Sequence, residues 1–232
     1  MGAGMGMNRF CLVGGLIAGL VLSGCSAGND APSLELQVFD AVRGVVASKT
    51  GPKQARVAIN RALLDGLDGA YLEVTLERQD QLAYLSMNSE RRDDRPGKIT
   101  VWRAEDSVSL AMRNGMLIET FGLGGGIASS TVLASGDTLG PAYSGEHVQY
   151  IRGLDNKEIR LSLACDVVRL GSETIEIVEH KHATQHVQER CQGNGGTVVN
   201  DFWIDSRAGL VRQSRQWAGP NIGYLRTRRL TD

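Results

Sequence analysis

EIRLSLACDVVRL, residues 158–170, alternates apolar and polar side chains with a period of two. Ile159, Leu161, Leu163, Cys165 and Val167 fall on one side of an extended chain, because successive strand side chains point to opposite faces. That pattern is a half-buried strand, and the same period recurs on either side of it. Residues 147–153 precede it across Asp155-Asn156 and make the other arm of a hairpin. Residues 172–187 read as the next strand, followed by 197–205, 210–217 and 223–230. Upstream, residues 71–77 place Leu72, Val74 and Leu76 together, and 81–87, 98–103, 107–112 and 116–121 continue the series. Asn114-Gly115 joins the last two, since both positions tolerate positive φ. Residues 89–97 (SERRDDRPG) read as a charged loop, and residues 130–134 as a short helix leading into a loop through Pro141.

The glycine cluster at 122–126 follows a strand and invites comparison with a phosphate-binding loop. The third glycine of G-x-G-x-x-G would stand at 127, where the chain has Ile127, and no Walker lysine follows. It reads as a connecting loop.

The N-terminal part has a different period. Leu34, Val38, Ala41 and Val45 form one stripe of a helix over 34–48 that ends at Gly51-Pro52. A weaker helix covers 53–64 and closes at Asp65-Gly66. The expected fold is mainly β: one antiparallel curved sheet or partial barrel with one or two N-terminal helices packed on it.

Before the helices, Leu22-Ser23-Gly24-Cys25 ends an apolar run, CLVGGLIAGLVL at 11–22, that is preceded by Arg9. A run of that length fits a signal peptide, whereas a spanning helix needs roughly twenty apolar residues. The aliphatic residue, two small residues and cysteine form a lipobox. Residues 1–24 are therefore a removed leader, Cys25 the lipid-bearing terminus, 25–32 a tether and 33–232 one β-rich domain. The lipid on Cys25 is the expected contact with the membrane. Ser26 after the cysteine, in place of Asp, points to the outer membrane, with the domain facing the periplasm.

Formal net charge is −1, so no global basic field calls for nucleic acid as a partner. The 29 glycines against 5% aromatic content suit many turns between short strands. Of four cysteines, Cys11 leaves with the leader and Cys25 carries lipid. Cys165 and Cys191 remain, and an oxidising compartment makes a disulfide their natural state. A loop of that length stabilises by roughly 3 kcal/mol. The competing reading is a metal site built from both thiolates and nearby histidines. His180, His182 and His186 share one strand face, but residues six apart in a strand are roughly 20 Å apart, so a polar strand face without metal is expected.

No HExxH or G-x-S-x-G occurs. Asp201 and Asp205 are four strand positions apart, roughly 13 Å, wider than the roughly 5–10 Å of a glycosidase pair. No catalytic residue and no cofactor is expected. Residues 206–231 hold six arginines and no acid, with Trp203, Trp217 and Tyr224 in or near the block. Guanidiniums beside flat rings suit an acidic polysaccharide, which makes Arg212, Arg215, Trp217 and Tyr224 the candidate glycan or partner surface. The competing arrangement has the tryptophans in the core and the arginines paired with neighbouring carboxylates.

Cys165, HATQHVQERC at 182–191, and the pattern W-x-D-x-x-x-G, S-x-Q-W, P-x-x-G-Y held by Trp203, Asp205, Gly209, Ser214, Gln216, Trp217, Pro220, Gly223 and Tyr224 resemble the YjbF/GfcB family of lipoproteins. The lipobox followed by LELQVFDAVRGVVASK at 34–49 is similar too. The resemblance implies a non-enzymatic accessory role in capsule or exopolysaccharide formation or export. It also implies an outer-membrane β-barrel exopolysaccharide protein as partner, with the polysaccharide itself as a second ligand class.

Overall fold

The structure, a computed structural model, describes residues 59–105 and 107–232. The leader, Cys25 and the expected 34–48 helix lie outside those residues. Among the described residues one short helix, α1 (Arg61–Asp65), is followed by twelve strands. They are β1 (Tyr71–Leu76), β2 (Gln81–Arg91), β3 (Ile99–Arg103), β4 (Ser109–Arg113), β5 (Met116–Phe121), β6 (Gly126–Thr131), β7 (Gly145–Arg152), β8 (Glu158–Ile177), β9 (His180–Gly193), β10 (Gly196–Asp205), β11 (Leu210–Trp217) and β12 (Tyr224–Arg229). All belong to one antiparallel sheet in the order β5-β4-β3-β2-β1-β12-β11-β10-β9-β8-β7-β6. The fold is thus mainly β and a nearly closed barrel, as the alternation predicted.

Consecutive strands pair by hairpins, and β1 pairs with β12 to join the two halves. The exception is β5 and β6, the two edges. Residues 122–125 join them, and Thr120 Oγ1 accepts a hydrogen bond from Ile127 N at 3.0 Å across the seam. Only glycine fits at 126: a Cβ there would sit 2.4 Å from Thr120 Oγ1 and 2.5 Å from Ile222 Cδ1. Covering or pairing edges removes the open ladder that would otherwise recruit other chains. Bulges at Met87/Ser89, Ala111/Met112, Ile127/Ser129, Arg169/Gly171 and Trp203/Ile204 add the local bend and twist that closure needs.

The interior follows from the alternation. Leu72, Val74 and Leu76 meet Leu85, Leu110, Ile127, Ile151 and Leu225 in one cluster. Tyr71, on the other face of β1, packs with Leu64 of α1, Ile175, Ile177 and Leu230, so the helix covers the outside of the sheet. Asn60 caps α1, its Oδ1 accepting from Leu63 N at 2.9 Å, and Gly66 ends it. The expected closure at Asp65-Gly66 is observed; the expected start at 53 lies outside the described residues.

Three expectations are corrected. Residues 130–134 form no helix: 126–131 are a strand paired with β7, and Leu133 and Ala134 of the following segment plug the interior. The 89–97 loop is shorter, because residues 89–91 continue β2 opposite Ile99–Val101. Residues 172–187 are not one strand. The chain reverses at Val178-Glu179, with φ of 42° and 67°, and 180–187 already belong to β9. Two left-handed residues give the turn that fits strand twist, but valine strongly disfavours that region, so the reversal leaves no mark in the sequence. Packing of Val178 against the Leu64–Tyr71 cluster offsets its conformational cost.

Candidate functional site

The residues expected to form a glycan or partner surface lie on β11 and β12, and their partners come from the end of β1, from β10 and from Asp232. Arg215 forms a forked pair with Glu77 (Nε–Oε1 3.0 Å, Nη2–Oε2 2.8 Å) while its guanidinium lies 3.6 Å over the Tyr224 ring. The Tyr224 hydroxyl accepts from Val199 N at 3.2 Å. Arg228 makes the same kind of fork with the buried Glu73, at 2.6 and 2.9 Å. Arg212, 6% exposed, is held between Asp205 (3.2 Å) and the Asp232 carboxylate. Trp217 is half-buried against two core clusters, and its backbone N donates to Asn200 Oδ1 at 2.9 Å. Arg215 and Tyr224 are therefore brought together, whereas Arg212 sits with a different pair of acids. Arg226, directly opposite Arg215 on β12, is exposed.

Trp203 is also engaged. His186 stacks on its ring at 4.4 Å and 16°, and Trp203 Nε1 donates to Glu173 Oε2 at 2.7 Å. His186 Nε2 lies 3.0 Å from Asp201 Oδ1. The histidine motif thus divides: His186 joins this polar cluster, and His180 and His182 line a groove with Arg212 and Asp232.

Cys165 and Cys191 stand directly opposite each other on β8 and β9 and form a disulfide. The histidine beside them comes from β7, not from the 180–186 motif. His147 is 3% exposed; its Nε2 is 2.7 Å from Ser130 Oγ, and its Nδ1 is 3.3 Å from Glu189 Oε1. Glu189, 1% exposed, accepts from Asn200 Nδ2 at 2.8 Å through its other oxygen. Hydroxyl, imidazole and carboxylate follow the order of a hydrolytic triad. The contact that orients the base is missing, however: Nδ1 and Oε1 face each other without the alignment of a hydrogen bond.

The profile of the family described as group 4 capsule polysaccharide lipoprotein GfcB, YjbF, matches residues 33–230. The chain belongs to the YjbF family. A role connected with capsule and association with a membrane as a lipoprotein come with that family. A solved structure, the hypothetical lipoprotein YmcC from Escherichia coli K12, has the same fold, with a TM-score of 0.63 at 20% identity. The match covers 74% of this chain and 88% of that one. No curated protein matches the sequence.

In this YjbF-family chain the composition of the C-terminal block was visible from the sequence, but the carboxylates that meet it were not. Glu77 is 138 residues from Arg215 and Glu73 is 155 from Arg228. The Ser130–His147–Glu189–Asn200 cluster was missed as well, since each strand contributes one member. The available signal was polar residues at inward positions, as in Val187, Glu189 and Cys191 of β9, where a purely apolar stripe would be expected.

Arg212 also sets an acid limit on this end of the YjbF-family fold. Burial opposes ionisation of Asp205, but hydrogen bonds from Ala208 N and Arg212 outweigh it and hold the carboxyl below its ordinary range. Asp232 is held low first by its hydrogen bond from Arg212. Groups with depressed folded values stabilise above the unfolded value, about pH 4, and lose that contribution as pH falls through the folded one. The melting temperature should therefore drop as pH falls below about 4, and Asp205→Asn should make that drop shallower. A variant whose melting temperature falls as steeply as the parent's would exclude Asp205 as a source of the acid sensitivity.

Proposed function

We propose that this protein is an outer-membrane-anchored lipoprotein facing the periplasm, held by the lipid on Cys25. It serves as a non-enzymatic accessory in capsule or exopolysaccharide formation or export and docks an outer-membrane β-barrel protein. The observation that carries the scaffold reading is the engagement of the Arg/aromatic block within the fold. Arg215 is forked to Glu77 and stacked on Tyr224, Trp203 is half-buried with its indole N–H donated to Glu173, and Trp217 is half-buried against two core clusters. A glycan groove needs ring faces and guanidiniums free to meet sugars and carboxylates. A cleft of about 540 Å³ between the 137–141 segment and β9–β10 is lined by Arg92, Lys98, Asp137 and Arg169 and by no aromatic ring.

The second reading, direct binding of an acidic polysaccharide, is favoured by one feature: exposed Arg226 beside the Arg215–Tyr224 stack. Calorimetric titration of the full chain in detergent with the host's purified polysaccharide separates the two, alongside crosslinking in intact membranes. The scaffold reading expects no saturable heat and a crosslink to an outer-membrane barrel that is lost in Cys25→Ser. Saturable heat that disappears in Arg215→Ala or Trp217→Ala would replace it with the binding module.

A further inference from the structure

The disulfide lies in an unusual setting. His147, Cys165, Glu189 and Cys191 are all buried, and one ligand-type atom from each lies within 4.8 Å of the others. The nitrogen and oxygen among them, His147 Nδ1 and Glu189 Oε1, face each other at 3.3 Å, and neither makes an aligned hydrogen bond. Leaving such atoms without a hydrogen bond in a core is costly, and each asks for an explanation.

The remaining atoms of the same two side chains are fully engaged. Ser130 Oγ holds His147 Nε2 at 2.7 Å, Asn200 Nδ2 holds Glu189 Oε2 at 2.8 Å, and Asn200 is itself fixed by Trp217 N at 2.9 Å. This is the outer-shell arrangement of a metal site, in which the non-ligating nitrogen or oxygen of each ligand is pinned so that the other points at the ion. What the oxidised chain lacks is thiolate. Two cysteine sulfurs, one imidazole nitrogen and one carboxylate oxygen make the four-coordinate soft-and-borderline donor set that suits Zn²⁺.

We propose that Cys165, Cys191, His147 and Glu189 form a redox-gated zinc site, closed by the disulfide and opened by its reduction. A dithiol supplies two electrons and two protons, cleaving the S–S bond to two thiols and becoming a disulfide itself. Zn²⁺ then displaces both thiol protons to solvent and binds the two thiolates, His147 Nδ1 and Glu189 Oε1. The site would replace the lost covalent link between β8 and β9 with a coordinate one that also ties in β7.

The test uses the full chain in detergent, reduced with dithiothreitol, stripped with EDTA, desalted without oxygen and titrated with Co²⁺ and then Zn²⁺. The reduced chain should bind one ion, giving a thiolate-to-cobalt band and tetrahedral visible bands that Zn²⁺ abolishes. The oxidised chain should give neither. His147→Ala and Glu189→Gln should weaken binding and alter the cobalt spectrum, Ser130→Ala should weaken it by about 10–100-fold, and His186→Ala should change nothing. Zinc should raise the melting temperature of the reduced chain, which separates a folded site from capture by unfolded thiols. Equal binding by the oxidised chain, an unchanged spectrum in His147→Ala, or a melting temperature lowered by zinc would overturn the assignment.

Discussion

Phe202→Ala is expected to cost about 3–5 kcal/mol of unfolding free energy, the usual range for removing a fully buried aromatic ring. Phe202 is 0% exposed in β10 and faces inward. Its cluster brings in Met116 from β5, Ala134 from the plugging segment, Val187 from β9 and Ile204 from its own strand. The ring therefore links the two arms of the sheet across the interior, so the cavity cannot be closed by a small shift of one neighbour. The segment at 140 is close as well: a Cβ on Gly140 would lie 3.7 Å from Phe202 Cγ. Urea denaturation of the full chain should show a lower midpoint at an unchanged slope, and Phe202→Leu should recover much of the loss. A cost below about 1 kcal/mol, which is typical of surface changes, would mean that the two arms do not meet at this ring.

Strand identity was legible because period-two patterning is local. Residues 116–121 and 210–217 were read with the bounds they have in the structure. Asn114-Gly115 was legible as a turn for the same reason, and both residues have positive φ, 49° and 84°. The turn also carries a role no local rule predicts. Asn114 Oδ1 accepts from Lys98 N at 2.8 Å, and its Nδ2 donates to the carbonyls of Gly136 and Thr138 at 3.0 and 2.8 Å. Gly115 lies so close to β11 that a Cβ would sit 2.4 Å from Val211 Cγ2. The asparagine thus ties the plug segment to the mouth of the sheet, and the glycine admits β11. Closure at β5–β6, the Val178-Glu179 reversal and the acids opposite the arginine block were hidden because long-range packing determines them. The same limit explains the candidate site: arginines and rings could be counted in sequence, but the strand pairing of β1 with β12 decides whether they are free.

Loss of the Cys165–Cys191 link is expected to cost about 3 kcal/mol, by the loop-entropy account of a cross-link. The two cysteines are 26 residues apart and close the distal part of the β8–β9 hairpin, including its strained turn. In the unfolded chain the bridge holds those strands at one register point; in the folded chain the ladder already does so, hence the benefit arises mainly from the restricted unfolded state. Cys191 is 0% exposed, so the reductant must wait for a local opening, and reduction should be slow in buffer and fast in mild urea. The equilibrium effect is best read from Cys165→Ala/Cys191→Ala, whose urea midpoint in the presence of EDTA should match that of the reduced parent. EDTA matters because zinc, by the site proposed above, would stabilise the reduced parent but not the double variant. A double variant as stable as the oxidised parent would show that the sheet holds the hairpin without the bridge. The sulfurs would then owe their place beside His147 and Glu189 to coordination chemistry rather than to folding stability.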